Sequence, residues 1–242
     1  MYSFEDHYEK VLNKYYTKIF GGRKLNYEKA YELFDYFRLK PNGQLFAFDL
    51  GAGSGFYSIP LAEIGYSVVA IDLNNELLNE IRNEHVENLE IINDDILNFH
   101  KYSNHGINLI TCMTDVISHL NSYTEIEILF KYISEKLTDD GKFVFSYRDQ
   151  TKEKKDTKRI IPFYADDNLI LTTFVDVFPE KLKVFDLVYE KIEGNWITKT
   201  SVYWRLRMFS EKIITILEKC QLKIEKEHRI KEMSFYLCSK IL

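Results

Sequence analysis

Apolar positions in the first 40 residues recur at helical spacing, and then the rhythm changes. Residues 5–20 read as helical, and KLNYEKAYELFDYF (24–37) carries Leu25, Tyr31, Leu33, Phe34 and Phe37 at rough helical intervals. KPNG (40–43) is a stop and turn signal. Beyond it, short apolar runs alternate with amphipathic stretches. QLFAFDL (44–50) reads as a first strand with residues 55–65 as its helix, and SVVAID (67–72) as a second strand. NNELLNEIRNEH (74–85) reads as a helix with Asn74 as N-cap and Leu77, Leu78 and Ile81 on one face. LEIIN (89–93) and INLITCM (107–113) are the third and fourth strands. SYTEIEILFKYISEKL (122–137) is a helix whose Ser122 and Glu125 have capping-box spacing. DDGK (139–142) then predicts a turn into a fifth strand, FVFSY (143–147). Apolar runs of this length suit strands buried on both faces, and so a mostly parallel sheet with helices on both sides.

After residue 148 the pattern breaks. DQTKEKKDTKR (149–159) reads as a solvated charged loop. NLILTTFVDVF, KVFDLVYEKI and WITKTSVYWRLRM predict three antiparallel strands joined through Pro179-Glu180-Lys181 and Glu193-Gly194-Asn195. In the last of them Trp196, Thr198, Thr200, Val202, Trp204 and Leu206 share a face. A helix over about 210–219 and two strands, KIEKEHRI and SFYLCSKI, return to the α/β style. The expected fold is a Rossmann-like, mostly parallel seven-stranded sheet. Its core spans residues 41–150 and 208–242, an antiparallel sheet is inserted over 151–207, and residues 1–40 are N-terminal helices.

Composition narrows the classes of function. The 242 residues are 45% hydrophobic and 29% charged, an ordinary globular balance for one domain carrying an insertion. A net charge of −5 disfavours nucleic acid as a partner. Cys112, Cys220 and Cys238 form no C-x-x-C pair, and the six histidines include no H-E-x-x-H, so no metal site is expected. No run of about 18 apolar residues marks a membrane span, and the charged opening MYSFEDHYEK does not read as a signal peptide. A cytoplasmic chain, monomeric or homodimeric, is the expectation.

FAFDLGAGSGFYSIPLAEIG (46–65) places three glycines in five residues between a strand and a helix. Glycine gives up packing and rigidity, so something must approach the backbone closely. The dinucleotide pattern G-x-G-x-x-G fails because Phe56 stands where its third glycine belongs, and no Lys-Ser or Lys-Thr follows for a P-loop. Asp72 ends the second strand about 20 residues on, where a carboxylate can take ribose hydroxyls. IINDDIL follows the third strand and MTDVISHL the fourth.

Asp49 with Gly51, Gly53 and Gly55, and the order of spacings over 45–147, resemble the class I S-adenosylmethionine (SAM)-dependent methyltransferases. The resemblance implies SAM as cofactor, its methionine part against the bare loop and its ammonium facing Asp49 through one or more hydrogen bonds. It implies Asp72 on the ribose, Asp95 on the adenine amino group with Asp94 as a one-residue alternative, and the Ile96 N–H on a ring nitrogen. Met113 would lie beneath the sulfonium, with Ala52 and Leu73 completing the lining. YYTKIFGGRKLNY (15–27) and the late insertion resemble the small-molecule subgroup that includes glycine and aminosugar N-methyltransferases. There a tyrosine closes over the methionine moiety. Tyr16 is the candidate, with Tyr15 and Arg23 as neighbours, and the N-terminal helices and insertion would form a lid.

The acceptor implied is a small molecule methylated on N or O. A SAM-binding module without turnover, or a protein or RNA methyltransferase, are the alternatives, although CMTDVI is not the N/D-P-P-Y/F of base amino methylation. Groups expected to face the methyl are His119 as proton acceptor, Asp115 as its orienter four residues earlier, Tyr147 against the acceptor and Arg148 on an acidic substrate group. Three of these have a plain structural reading too: His119 packing on a helix, Asp115 capping a turn, Arg148 in an ion pair. Tyr203, Trp204 and Arg205 either line the pocket or pack the inserted sheet.

Overall fold

The computed structural model describes residues 11–103, 105–151 and 159–241. Part of the expected 5–20 helix and most of the 149–159 loop therefore lie outside the described residues. A 3-10 turn (Asn13–Tyr15) and a single helical turn (Tyr16–Ile19) lead into α1 (Gly22–Phe37). The alternating part comprises β1 (Leu45–Leu50), α2 (Ser58–Glu63), β2 (Tyr66–Asp72), α3 (Asn75–Arg82), β3 (Leu89–Asn93), β4 (Ile107–Cys112), α4 (Tyr123–Lys136) and β5 (Leu137–Arg148). Then come β6 (Ile160–Ala165), β7 (Leu169–Val177), β8 (Lys181–Ile192), β9 (Asn195–Leu206), α5 (Ser210–Lys219), β10 (Leu222–Ile230) and β11 (Met233–Lys240).

Seven strands form one sheet in the order β10-β11-β5-β4-β1-β2-β3, and β6-β7-β8-β9 form a second. In the first sheet only β11 runs against its neighbours, pairing antiparallel with both β5 and β10. Strand alternation divides the core into two layers. Phe48, Ile110, Cys112, Phe143, Phe145 and Tyr147 pack against Ile126, Leu129, Phe130 and Ile133 of α4 and Ile213 and Leu217 of α5. Ala47, Val68, Leu109 and Val144 point the other way, to Leu33, Phe34 and Phe37 of α1 and Leu61 of α2. Burying each large apolar side chain contributes about 1.5–3 kcal/mol, so the sheet is held from both faces.

The chain moves outward from β1 through β2 to β3, then crosses back to place β4 on the other side of β1. Such a reversal opens a crevice at the carboxyl ends of β1 and β4. The loop after β1 and the turn after β4 are its walls.

Local differences from the sequence reading have physical causes. Helix α2 starts at Ser58 rather than 55, because Gly51, Gly53 and Gly55 all take positive φ (+77°, +53° and +83°) and none continues a right-handed helix. DDGK makes no separate turn: α4 passes directly into β5 at Leu137. Gly141 serves close approach instead, since a Cβ there would lie 2.9 Å from the carbonyl oxygens of Ile107 and Thr138. Strand β6 was not predicted. It is an edge strand with Pro162 inside it and little buried surface, so no alternation marks it. On β9 the face bearing Trp196, Thr198 and Thr200 is the outer one, whereas Ser201 and Tyr203 are buried.

Candidate functional site

Asp49 is the penultimate residue of β1, on the face that looks toward α2. It is 2% exposed, and its oxygens accept hydrogen bonds from the Thr111 hydroxyl (2.7 Å) and the Ser58 hydroxyl. The sequence reading missed both partners. Ser58 sits nine residues on in the first turn of α2, and Thr111 shares the parity of Leu109 on β4. Burial pushes the Asp49 carboxyl up to about 6, against the bonds from Ser58 and Thr111, and the nearby Asp72 charge adds to it. Asp49 thus lies beneath the glycine loop, joining β1, β4 and α2.

The loop itself is bare. A Cβ on Gly51 would meet Val116 Cγ2 at 2.4 Å, and one on Gly55 would meet Ile81 Cγ1 at 2.9 Å, so both glycines permit close packing. Gly53 differs. The atoms nearest to a Cβ there would be those of Tyr16, at 3.5–3.8 Å. A side-chain carbon at Gly53 would therefore rest in ordinary van der Waals contact with the Tyr16 ring rather than clash. The Ala52 and Gly51 N–H groups donate to Ile71 C=O, tying the loop to β2.

Asp72, partly buried at the end of β2, accepts from the Gly53 N–H (2.8 Å) and the Asn74 N–H (2.8 Å). Burial raises its pKa against those two bonds. Leu73 beside it is exposed. Asn93, also missed from sequence, donates to the carbonyls of Asp72 and Leu73 and fixes the tip of β2 to that of β3.

After β3, Asp94 accepts from the Asp95 N–H, Asn98 and Tyr102 and is held below the usual carboxylate range, the Tyr102 bond contributing most. Asp95 is the N-cap of the 3-10 turn Ile96–Lys101 and accepts from the Leu97 N–H at 2.8 Å. Both acids thus shape the bend that places Ile96. Across the crevice, Met113 is 2% exposed.

The N-terminal segment roofs this constellation. Tyr16 stacks on Phe56 (5.8 Å between centroids), and burial raises its hydroxyl pKa, with Asp72 adding to the effect. Thr17 and Arg23 bond to Glu80 of α3, and Asn13 bridges Asn74 and Glu76. Tyr15 points elsewhere: its hydroxyl donates to Glu190 of β8. Of the neighbouring candidates, Tyr16 is the one over the loop, while Arg23 lies at its edge with a guanidinium nitrogen 3.5 Å from Ser54 C=O.

Two groups expected on the acceptor side, Tyr147 and Asp115, are placed otherwise. Tyr147 is 1% exposed, stacked on Phe145 and Tyr236, with its hydroxyl bonded to Ser210 (3.1 Å). Its position on β5 gives it the parity of Phe143 and Phe145, so it belongs to the core layer. Asp115 does not serve as the expected orienter of His119, because its carboxylate is committed to Arg148. One oxygen accepts the Arg148 backbone N–H (2.7 Å) and the other the guanidinium. Arg148 accordingly stands in an ion pair, with 36% of its side chain exposed. Arg205 of β9 reaches the same Asp115 oxygen at 3.7 Å.

His119 ends the 3-10 turn Val116–His119 and lies 6.4 Å from the Tyr203 ring of β9. Tyr203 is itself surrounded by charge. Burial raises its pKa most, Asp186 and Asp115 raise it further, and Arg205 and Arg148 oppose them. The inner face of the inserted sheet thus meets the tips of β4 and β5 through a polar cluster, beside the crevice walled by the glycine loop.

Residues 47–141 match the family model described as a methyltransferase domain. No protein of curated function matches the sequence. Among solved structures, the chain resembles an S-adenosylmethionine-dependent methyltransferase from Clostridium acetobutylicum ATCC 824 (TM-score 0.75, 19% identity, covering 96% of this chain and 98% of that one). It also resembles SAM-bound CalS10, an amino pentose methyltransferase from Micromonospora echinaspora (0.79, 11%, 95% and 96%). A third is the sugar N-methyltransferase KedS8 from Streptoalloteichus sp ATCC 53650 (0.75, 11%, 96% and 92%). At these identities the likeness establishes the fold, insertion included.

Proposed function

We propose that this chain, whose residues 47–141 match the methyltransferase-domain model, is a SAM-dependent enzyme that methylates a nitrogen or oxygen of a small molecule. One observation carries the reading: the Gly53 backbone lies between the Tyr16 ring and the Asp72 carboxylate, without the tight side-chain packing of Gly51 and Gly55, beside the point where the strand order reverses. The donor set fits a cationic nucleoside. Carboxylates at the first three strand ends suit an ammonium, ribose hydroxyls and an adenine amino group, whereas a pyrophosphate would meet Asp49 with repulsion.

In this reading Gly51, Ala52, Gly53 and Gly55 form the cradle and Asp49 supplies its negative potential from below. Asp72 and Leu73 flank the ribose, Asp94, Asp95 and Ile96 the adenine, and Met113 the methyl-bearing end under Tyr16. Bound there, SAM supplies a sulfonium-activated methyl group for in-line displacement. The chain's own contribution is to align the acceptor and exclude water. In this reading His119 takes the acceptor's proton, with the Tyr203 ring beside it. Arg148, half-exposed at the same edge, is the group that meets an acidic substituent. The likeness to CalS10, an amino pentose methyltransferase, and KedS8, a sugar N-methyltransferase, favours an aminosugar over a phenol.

Incubating the full chain with SAM and a panel of aminosugars, amines and small phenols tests this. Formation of S-adenosylhomocysteine that depends on an aminosugar supports it. No acceptor-dependent product across the panel, with SAM binding intact, supports a binding module instead.

A further inference from the structure

Thr114 and Asp115, the two residues that turn the chain after β4, both hold positive φ (+55° and +66°) although neither is glycine. For a β-branched threonine this is an outlier, and such a conformation persists only where its surroundings over-determine it. The tip of β5 supplies that constraint. The Thr114 N–H donates to Ser146 Oγ at 2.7 Å, and the Asp115 N–H donates to the Ser146 carbonyl at 3.2 Å. The Asp115 side chain reaches back to the Arg148 N–H and guanidinium. Its own carbonyl accepts from Ser118 through both N–H (2.8 Å) and hydroxyl (2.7 Å). Ser146 and Asp115 are buried, and Arg205 approaches Asp115 from the inserted sheet. The turn is not remote from the crevice: Val116, the next residue, is the side chain that a Cβ on Gly51 would strike.

We infer that Ser146 and Asp115 are positioning residues that clasp the Thr114–Asp115 turn in its left-handed form against the glycine loop, and that Arg205 ties this clasp to the inserted sheet. Resting on the SAM reading above, the inference assigns the clasp to the contact made around the transferred methyl group. Without the Ser146 hydroxyl the Thr114 N–H loses its acceptor, and the turn relaxes toward negative φ and away from the crevice.

SAM and S-adenosylhomocysteine differ only by that methyl and the sulfonium charge, so the ratio of their dissociation constants isolates this contact. A merely structural role would weaken both ligands alike. The experiment is calorimetric titration of the full chain with each ligand, for the wild type, Ser146→Ala, Arg205→Gln and the double variant Thr114→Gly/Ser146→Ala, with thermal melting to verify folding. Ser146→Ala is expected to shift the ratio against SAM by about threefold to tenfold, the scale of one lost hydrogen bond. Arg205→Gln is expected to shift it in the same direction by less. The double variant is expected to recover most of the loss, because glycine takes positive φ without support. An unchanged ratio in both folded single variants, or a double variant no better than Ser146→Ala, overturns the clasp. Failure of the wild type to bind either ligand would instead overturn the SAM reading on which it rests.

Discussion

Asp49→Asn removes a buried charge while keeping the shape of the side chain. The wild-type carboxyl is driven from an ordinary 3.8 up to about 6, chiefly by burial. In the unfolded chain it titrates near 3.9. Between about pH 4 and pH 6 the folded state therefore holds a proton that the unfolded state has released. Stability is then greatest below the lower value and falls as pH rises through the upper one. A shift of about two pH units corresponds to about 3 kcal/mol at 1.36 kcal/mol per unit. Asparagine bears no such cost, and the Ser58 and Thr111 hydroxyls can rotate to serve both its oxygen and its amino group. Urea unfolding of both proteins at pH 4, 5, 6 and 7 gives the difference directly. The advantage of the wild type should fall by about 3 kcal/mol across that range and stay level above it. At pH 7 the variant should fold at least as well yet bind SAM more weakly, and wild-type SAM affinity should decline as pH falls below about 6. A difference curve that is flat or rises with pH would refute the argument that Asp49 is held at a cost in stability to serve the ligand.

The glycines separate packing from binding. Gly51→Ala should cost about 3 kcal/mol in stability, combining left-handed strain with overpacking against Val116. Gly53→Ala should cost roughly 1 kcal/mol yet lower SAM affinity roughly tenfold or more, about 1.4 kcal/mol per decade; paired melting and titration read both. Tyr147→Phe, which loses the bonds to Ser210 and Tyr236, should cost about 1 kcal/mol in urea unfolding and leave turnover with an identified acceptor unchanged.

The sheet was legible in the sequence because its strands are apolar on both faces and its helices carry explicit ends. Asn74 and Ser122 cap as their positions predict, accepting from the N–H groups of Leu77 and Glu125. What was less legible depends on parity and on distant partners. Nothing local distinguishes Tyr147, buried among Phe145 and Tyr236, from Ser146 and Arg148, which reach the turn after β4; only the pairing of β5 between β4 and β11 fixes that. The Asp115–Arg148 pair spans 33 residues, a separation that no local spacing reveals, whereas His119 lies only four residues on. Ser58 and Thr111 carry no motif, and their role exists only once β1, β4 and α2 meet around Asp49. Strand β6 escaped because an edge strand with a proline lacks the alternation that reveals the others.

The central claim is that the tips of the first three strands and the glycine loop hold SAM. Calorimetric titration of the full chain with SAM, with NAD as a control, tests it most directly, in the wild type and in Asp72→Ala, which removes the carboxylate bound to the Gly53 N–H. The account predicts saturable heat with SAM in the wild type, little or none in the variant, and none with NAD. Silence with SAM and saturation with NAD would contradict it.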